Sequence, residues 1–280
     1  MSYHILSTLQ TKNEQLQNGF FQSGTGPEVV LILGSCRTLA YTNYLVRWNE
    51  TIGQNALTIC RIDPFDWHWY FDGSSRDIEQ AIRECEGNEN ILRLLRRTSI
   101  FIHEHYQYFG MFNTSPSAEK NIYQFGMAPR VNVCFPNFHD VFVLFNEQVM
   151  FDSELRRRLN DSPMKRLVFF QNMRASGMAA LEKFYSVCRL SDFPEMEQEM
   201  RDNWTKRRFF WTGNHVSKHF TSYLFRCMNE RFLHLHTDDE FWRGVDSEDQ
   251  FSRPCTAVTQ YDVDAYGLTW EETPIEPLKL

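Results

Sequence analysis

A thiol that follows a glycine at the end of a continuous apolar run is well placed for covalent chemistry, and Cys36 stands in such a place. The stretch reads Glu28-Val29-Val30-Leu31-Ile32-Leu33-Gly34-Ser35-Cys36-Arg37-Thr38-Leu39-Ala40. Val29 to Leu33 is the pattern of a strand buried on both faces of a parallel sheet. Gly34 allows a sharp turn out of it, and helical spacing through Leu39, Tyr44, Leu45 and Trp48 predicts a helix packed behind the strand. Cys36 is therefore expected at the strand's carboxyl end and the helix's start, the edge where open α/β sheets bind ligands. Backbone N–H groups and the helix dipole at such a place favour a thiolate. Cys36 is the candidate nucleophile. Backbone N–H groups after Gly34 are candidate oxyanion donors, and Gly34, Ser35 and Arg37 are candidate cofactor-binding residues. Arg37 offers a planar fork suited to carboxylate or phosphate.

A thiol nucleophile needs a base. His215 lies in Trp211-Thr212-Gly213-Asn214-His215-Val216-Ser217-Lys218, expected at a helix start, with Lys206, Arg207, Arg208 and Lys218 around it. Those cations would hold cofactor phosphates or form a solvated rim. His103 and His105 flank Glu104 at the end of a predicted strand Ser99–His103, and His139 precedes Asp140. His103 or Glu104 would orient the base or bind substrate. Two imidazoles at i and i+2 share one side of a strand without a third ligand, so no metal is expected. Cys60, Cys85, Cys188 and Cys227 read as packing residues, and Cys134 and Cys255 sit in segments read as irregular, with no assigned role.

The elements around these residues alternate between strand and helix, which favours an α/β parallel-sheet sandwich with a large helical addition in the second half. Leu57–Ile62 is a second strand and leads into the aromatic turn Asp63–Tyr70; Arg76–Leu95 carries helical periodicity. Residues 104–140 read as a long aromatic loop, the kind of segment that often carries function. Helices are expected over Val141–Leu159, Met164–Arg174 and Ala179–Val187, with Asp192–Asp202 a solvated helix face. The expected organisation is an N-terminal extension 1–27, an α/β catalytic domain 28–239 and a wrapping segment 240–280.

Composition narrows the classes. The chain has 280 residues, of which 42% are hydrophobic and 15% aromatic, enough for a sizeable core and too apolar for disorder. A formal net charge of −7 gives no support to nucleic-acid binding. No apolar run approaches a bilayer's thickness, and Met1-Ser2-Tyr3-His4-Ile5-Leu6 lacks the basic and apolar regions of a secretion signal. Seven cysteines without a CxxC pair form neither a disulfide framework nor a zinc site. A cytoplasmic protein with reduced thiols is expected.

With these residues in view, the chain resembles the WcbI-type polysaccharide biosynthesis proteins. That family opens with an apolar strand and Gly-Asn-Cys-Gln, which Gly34-Ser35-Cys36-Arg37 matches at glycine and cysteine. Phe101-Ile102-His103-Glu104-His105 is similar to its strand ending in a polar residue, Phe135-Pro136-Asn137 to its proline motif, and Asn214-His215 to its late histidine, although Val216 replaces the proline that follows there. The similarity spans residues 28 to 235. It implies a coenzyme A or acetyl-coenzyme A site, a cysteine–histidine active site with His215 as base, and acyl transfer to a glycan hydroxyl. SGNH-type esterases place a serine after the first strand where Cys36 stands, but their Asp-x-x-His block is not matched by Thr212-Gly213-Asn214-His215. A thiol hydrolase of that topology is one alternative. A non-catalytic module presenting its aromatic loops to a glycan or protein is another.

Overall fold

The run Val29–Leu33 forms the middle of a sheet because every one of its side chains is buried, which only a strand flanked by neighbours and covered on both faces achieves. In the computed structural model, the residues described are 20–34, 37–62, 93, 96–104, 127–136, 141–151, 163–213, 215–247, 256–270 and 275–277. The chain divides into two compact units, one of residues 1–137 with 225–245 and one of 138–224 with 246–280.

The first unit is built on a five-stranded, mostly parallel sheet. Its strands are β1 (Phe20–Ser23), β2 (Glu28–Leu33), β3 (Leu57–Ile62), β4 (Thr98–Glu104) and β5 (Val131–Phe135), in the order β1-β3-β2-β4-β5. β1 pairs antiparallel with β3, and the other pairings are parallel. From β2 the chain steps to one side to form β3, then to the other side for β4 and β5. The direction of winding therefore reverses between β2 and β4. Helix α1 (Thr38–Thr51) follows β2 and packs on the sheet through Tyr41, whose ring meets Phe135 of β5 edge-on at 4.9 Å. Asn49 joins the end of α1 to the start of β3: its amide accepts from Leu57 N at 2.9 Å and donates to Leu57 O at 3.0 Å, as a neighbouring strand would. Asn229 makes the same clasp on Leu235 at the π-turn Asn229–Leu233, which His234 closes in the left-handed region at φ 53°.

β5 lies inside the stretch that the sequence reads as a long loop. Its buried positions, Val133 and Phe135, alternate with half-buried and exposed ones, the pattern of an edge strand covered on one face. Asn132 and the following Pro136-Asn137 mask that alternation in the sequence. The predicted aromatic turn 63–70 lies outside the described residues, as does nearly all of the predicted helix 76–95.

The second unit holds α2 (Phe145–Phe151), α3 (Pro163–Leu190), α4 (Glu195–Asn203), the hairpin β6 (Phe210–Thr212) and β7 (His215–Val216), and α7 (Gln260–Tyr266). Helices α5 (Lys218–Met228) and α6 (Asp239–Ser247) complete seven α-helices among the described residues. Two corrections follow. The helices expected at 164–174 and 179–187 are one continuous helix, α3, and Gly177 does not break it. A Cβ on Gly177 would run into the Tyr266 hydroxyl and Val143 O, so the glycine is there for close packing. The helix expected over 141–159 begins at Phe145, after an irregular 141–144, and is described to Phe151; residues 152–159 lie outside the described residues. In α4 Glu195, Glu197 and Glu199 are half-buried and Asp202 is exposed, while Met196 and Met200 are completely buried.

Candidate functional site

The four parallel strands end together, at Leu33, Ile62, Glu104 and Phe135. A ligand crevice in an open α/β sheet forms at this edge, where the winding reverses, here between β2 and β4. The structure places a buried polar cluster there. Arg37 and Glu104 are 3% and 1% exposed, and Arg37 Nε donates to Glu104 Oε1 at 3.2 Å. Thr38, fully buried, donates from Oγ1 to Gly34 O at 3.2 Å and accepts from Arg61 Nε at 2.9 Å. Thr38 is thus held by Arg61 of β3 and by the Gly34 carbonyl, and Arg37 by Glu104 of β4. Gly34 is required for a reason other than a left-handed backbone: a Cβ would overlap the Thr38 methyl and lie 3.0 Å from Glu104 Cγ. Tyr41 lies beneath the cluster. Burial pushes its hydroxyl well above the usual range, the negative fields of Tyr44 and Glu104 add to this, and Arg37 opposes it. It stays protonated at any working pH.

Of the residues singled out from sequence, the structure therefore gathers Gly34, Arg37 and Glu104. Ser35 and Cys36, the covalent links between Gly34 and Arg37, lie outside the described residues. His103 belongs to β4 but not to this cluster. Glu104 and Phe135 face α1, so their strand predecessors His103 and Cys134, register partners, face the other side of the sheet. Arg61 and Thr38 were missed in sequence because nothing local marks an arginine inside an apolar strand as facing the next turn.

His215, Arg207, Arg208 and Lys218 belong to the second unit. His215 is not at a helix start: it lies in β7, half-buried, its N–H bonded to Thr212 Oγ1 at 3.1 Å, and α5 begins at Lys218. The short hairpin β6–β7 prevails over the helical pattern that starts three residues later. Arg207 is exposed and Lys218 half-buried. Arg208 is 5% exposed and donates to the carbonyls of Phe210, Trp211 and Thr256 at 2.8, 3.0 and 2.5 Å, so it ties main-chain segments together. Beside it is Glu147, a buried carboxyl that the sequence did not mark. It accepts from Thr256 Oγ1 at 2.9 Å and bonds the main chain at Gly213, two residues before His215. Burial raises it to about 7, against the lowering effects of these bonds and of Arg208.

Among the described residues there is no group of three or more His, Cys, Asp and Glu that could hold a metal ion, and no helix is long and apolar enough to cross a membrane. Fold and cluster define an α/β protein with a polar site at the carboxyl edge of a mostly parallel sheet. Compared with family models, curated proteins and solved structures, the chain matches none.

Proposed function

We propose that the chain is an acyltransferase that takes an acyl group from a thioester, acetyl-coenzyme A being the donor and a glycan hydroxyl the acceptor. In this reading the sheet is one layer of a flavodoxin-like sandwich, and the helical second unit is an addition to it. The observation that carries the proposal is the anchoring of Thr38 by Arg61 and of Arg37 by Glu104 at the winding reversal, immediately beside Cys36 in the chain. A catalytic thiol needs a turn that does not move during the reaction, and Cys36 is the covalent neighbour of Arg37.

The Cys36 thiolate attacks the thioester carbonyl, the carbon–sulfur bond to coenzyme A breaks, and the leaving thiolate is protonated. The acceptor hydroxyl then attacks the acyl-cysteine, giving up its proton to a base. Main-chain N–H groups after Gly34 bind the oxyanion. The resemblance assigns the base to His215.

Release of free thiol from acetyl-coenzyme A, with and without polyol acceptors, tests this. Cys36→Ala is expected to abolish release, and His215→Gln to slow it by about 10²-fold. Release in Cys36→Ala at the wild-type rate would remove the nucleophile from the proposal. Release that no hydroxyl acceptor speeds would make the enzyme a thiol hydrolase.

A further inference from the structure

The hairpin that carries His215 is too short to set its own shape. β6 and β7 contribute three and two residues, and their register shifts between Phe210 and Thr212. A two-stranded ribbon of that length is not stable by itself in water, so its geometry comes from what grips it. One grip is on Gly213. The Gly213 carbonyl accepts from Val141 N at 3.1 Å, and its N–H donates to the Glu147 carboxyl. Its missing side chain leaves room for Phe142, since a Cβ there would come within 2.4 Å of the Phe142 ring. His215 follows two positions later, and its own N–H returns to Thr212 Oγ1 at 3.1 Å.

Glu147 is itself fixed. It is the third residue of α2, and its carboxyl reaches back to the Leu144 N–H, as the acidic member of a capping box does. The start of α2 is anchored in turn, by Asp262 Oδ1 on Phe145 N at 2.8 Å and by Asn146 Nδ2 on Ala257 O at 3.1 Å. Thr256 closes a ring of bonds. Its Oγ1 donates to Glu147 at 2.9 Å, its N–H donates to Trp211 O at 2.8 Å, and Trp211 stands two residues before Gly213. The carboxyl of Glu147 thus joins α2, the hairpin and the segment at Thr256. Asp262 provides an internal contrast. It is a buried carboxyl of the same unit, but its bonds go to Phe145 N, Thr259 N and Thr259 Oγ1, none of them in the hairpin.

We propose that Glu147 is a positioning residue for His215: its carboxyl holds the main chain of the β6–β7 turn at Gly213 and so sets the place of the imidazole. This rests on the acyl-transfer reading, in which His215 is the base, and adds to it the residue that fixes the base. Glu147 makes and breaks no bond in the reaction. A base displaced by a fraction of an ångström from its proton loses rate while substrate binding is unchanged. The loss should therefore appear in kcat, and only while His215 is present to be displaced.

The experiment has two arms, both on the full chain. In the first, amide hydrogen exchange is compared in the wild type, Glu147→Ala, Glu147→Gln and Asp262→Ala. Glu147→Ala is expected to speed exchange at Gly213 and His215 by about tenfold, the loss of one buried acceptor, and to leave the middle of α5 unchanged. Glu147→Gln keeps an acceptor oxygen and should restore most of the protection, and Asp262→Ala should leave the two amides as they were. If Glu147→Ala does not fold, Thr256→Val, which removes the hydroxyl that steadies the carboxyl, should speed the same amides severalfold. The second arm is a double-mutant cycle on thioester turnover. Glu147→Ala should lower kcat about tenfold with KM unchanged, Glu147→Gln should recover most of it, and Glu147→Ala should add no loss in His215→Gln. Losses that multiply in the double variant, or hairpin amides that ignore Glu147, overturn the proposal. Absence of turnover in the wild type refutes the acyl-transfer reading instead, and the exchange arm still decides whether Glu147 holds the turn.

Discussion

Each unit buries arginine and carboxylate, but the two arrangements differ in what the arginine touches. In the first unit Arg37 meets a carboxylate, Glu104, and Arg61 meets a hydroxyl, Thr38, all at the edge where four parallel strands end. In the second, Arg208 donates to three main-chain carbonyls, while Glu147 and Asp262 bond hydroxyls and main-chain N–H groups. A guanidinium occupied by carbonyls knits loops. One paired with a side chain across strand ends holds a turn from the side and keeps its chemistry at the ligand edge. Burial alone does not separate a site from a staple; the identity of the partners does.

The sharpest way to break the comparison is to remove one carboxylate from each unit. Glu104→Ala leaves Arg37 buried without its carboxylate and is expected to cost about 4 kcal/mol in urea unfolding. If the pair is a staple only, Arg37→Met/Glu104→Met recovers most of that stability and ligand binding survives. If it anchors a site, stability recovers while thioester turnover does not. Asp262→Ala is expected to cost about 3 kcal/mol, because Phe145 N, Thr259 N and Thr259 Oγ1 all lose their buried acceptor. It should do so without changing the chemistry at the first unit.

Glu147 gives the second unit a pH signature of comparable size. Its carboxyl ionises near 4.5 in the unfolded chain and near 7 in the folded one, so between those values the folded state holds the extra proton. The stabilisation is complete below about 4.5 and is lost as pH rises through 7, a total of about 3 kcal/mol. Glu147→Gln should flatten that part of the stability profile. A residual slope of the same sign remains from Asp262, also raised by burial. Thr259→Ala, which removes the capping box of α7, is the smallest effect, about 1 kcal/mol in the same unfolding assay.

The central strand and the helix behind it are legible because a fully buried parallel strand writes a continuous apolar run and a helix its own period. Arg37 and Glu104 were legible as candidates from their places beside strand ends, but their pairing was not, since 67 residues separate them and only the sheet order joins them. β5 was hidden because an edge strand covered on one face alternates with polar residues, and Asn132 and Pro136 read as loop. The continuity of α3 through Gly177 was hidden too, since the partner that demands a glycine there, Tyr266, comes 89 positions later in the chain. His215 was read onto a helix because the period of α5 starts so soon after it.

Thermal melting with coenzyme A and acetyl-coenzyme A, on the wild type, Cys36→Ala and Arg37→Met, tests the site at the carboxyl edge most directly. A ligand held only by the folded chain must raise the midpoint by several degrees at millimolar concentration. The expected result is a rise in the wild type that persists in Cys36→Ala, where binding outlives chemistry, and shrinks in Arg37→Met. No shift in the wild type with either compound would contradict the thioester site.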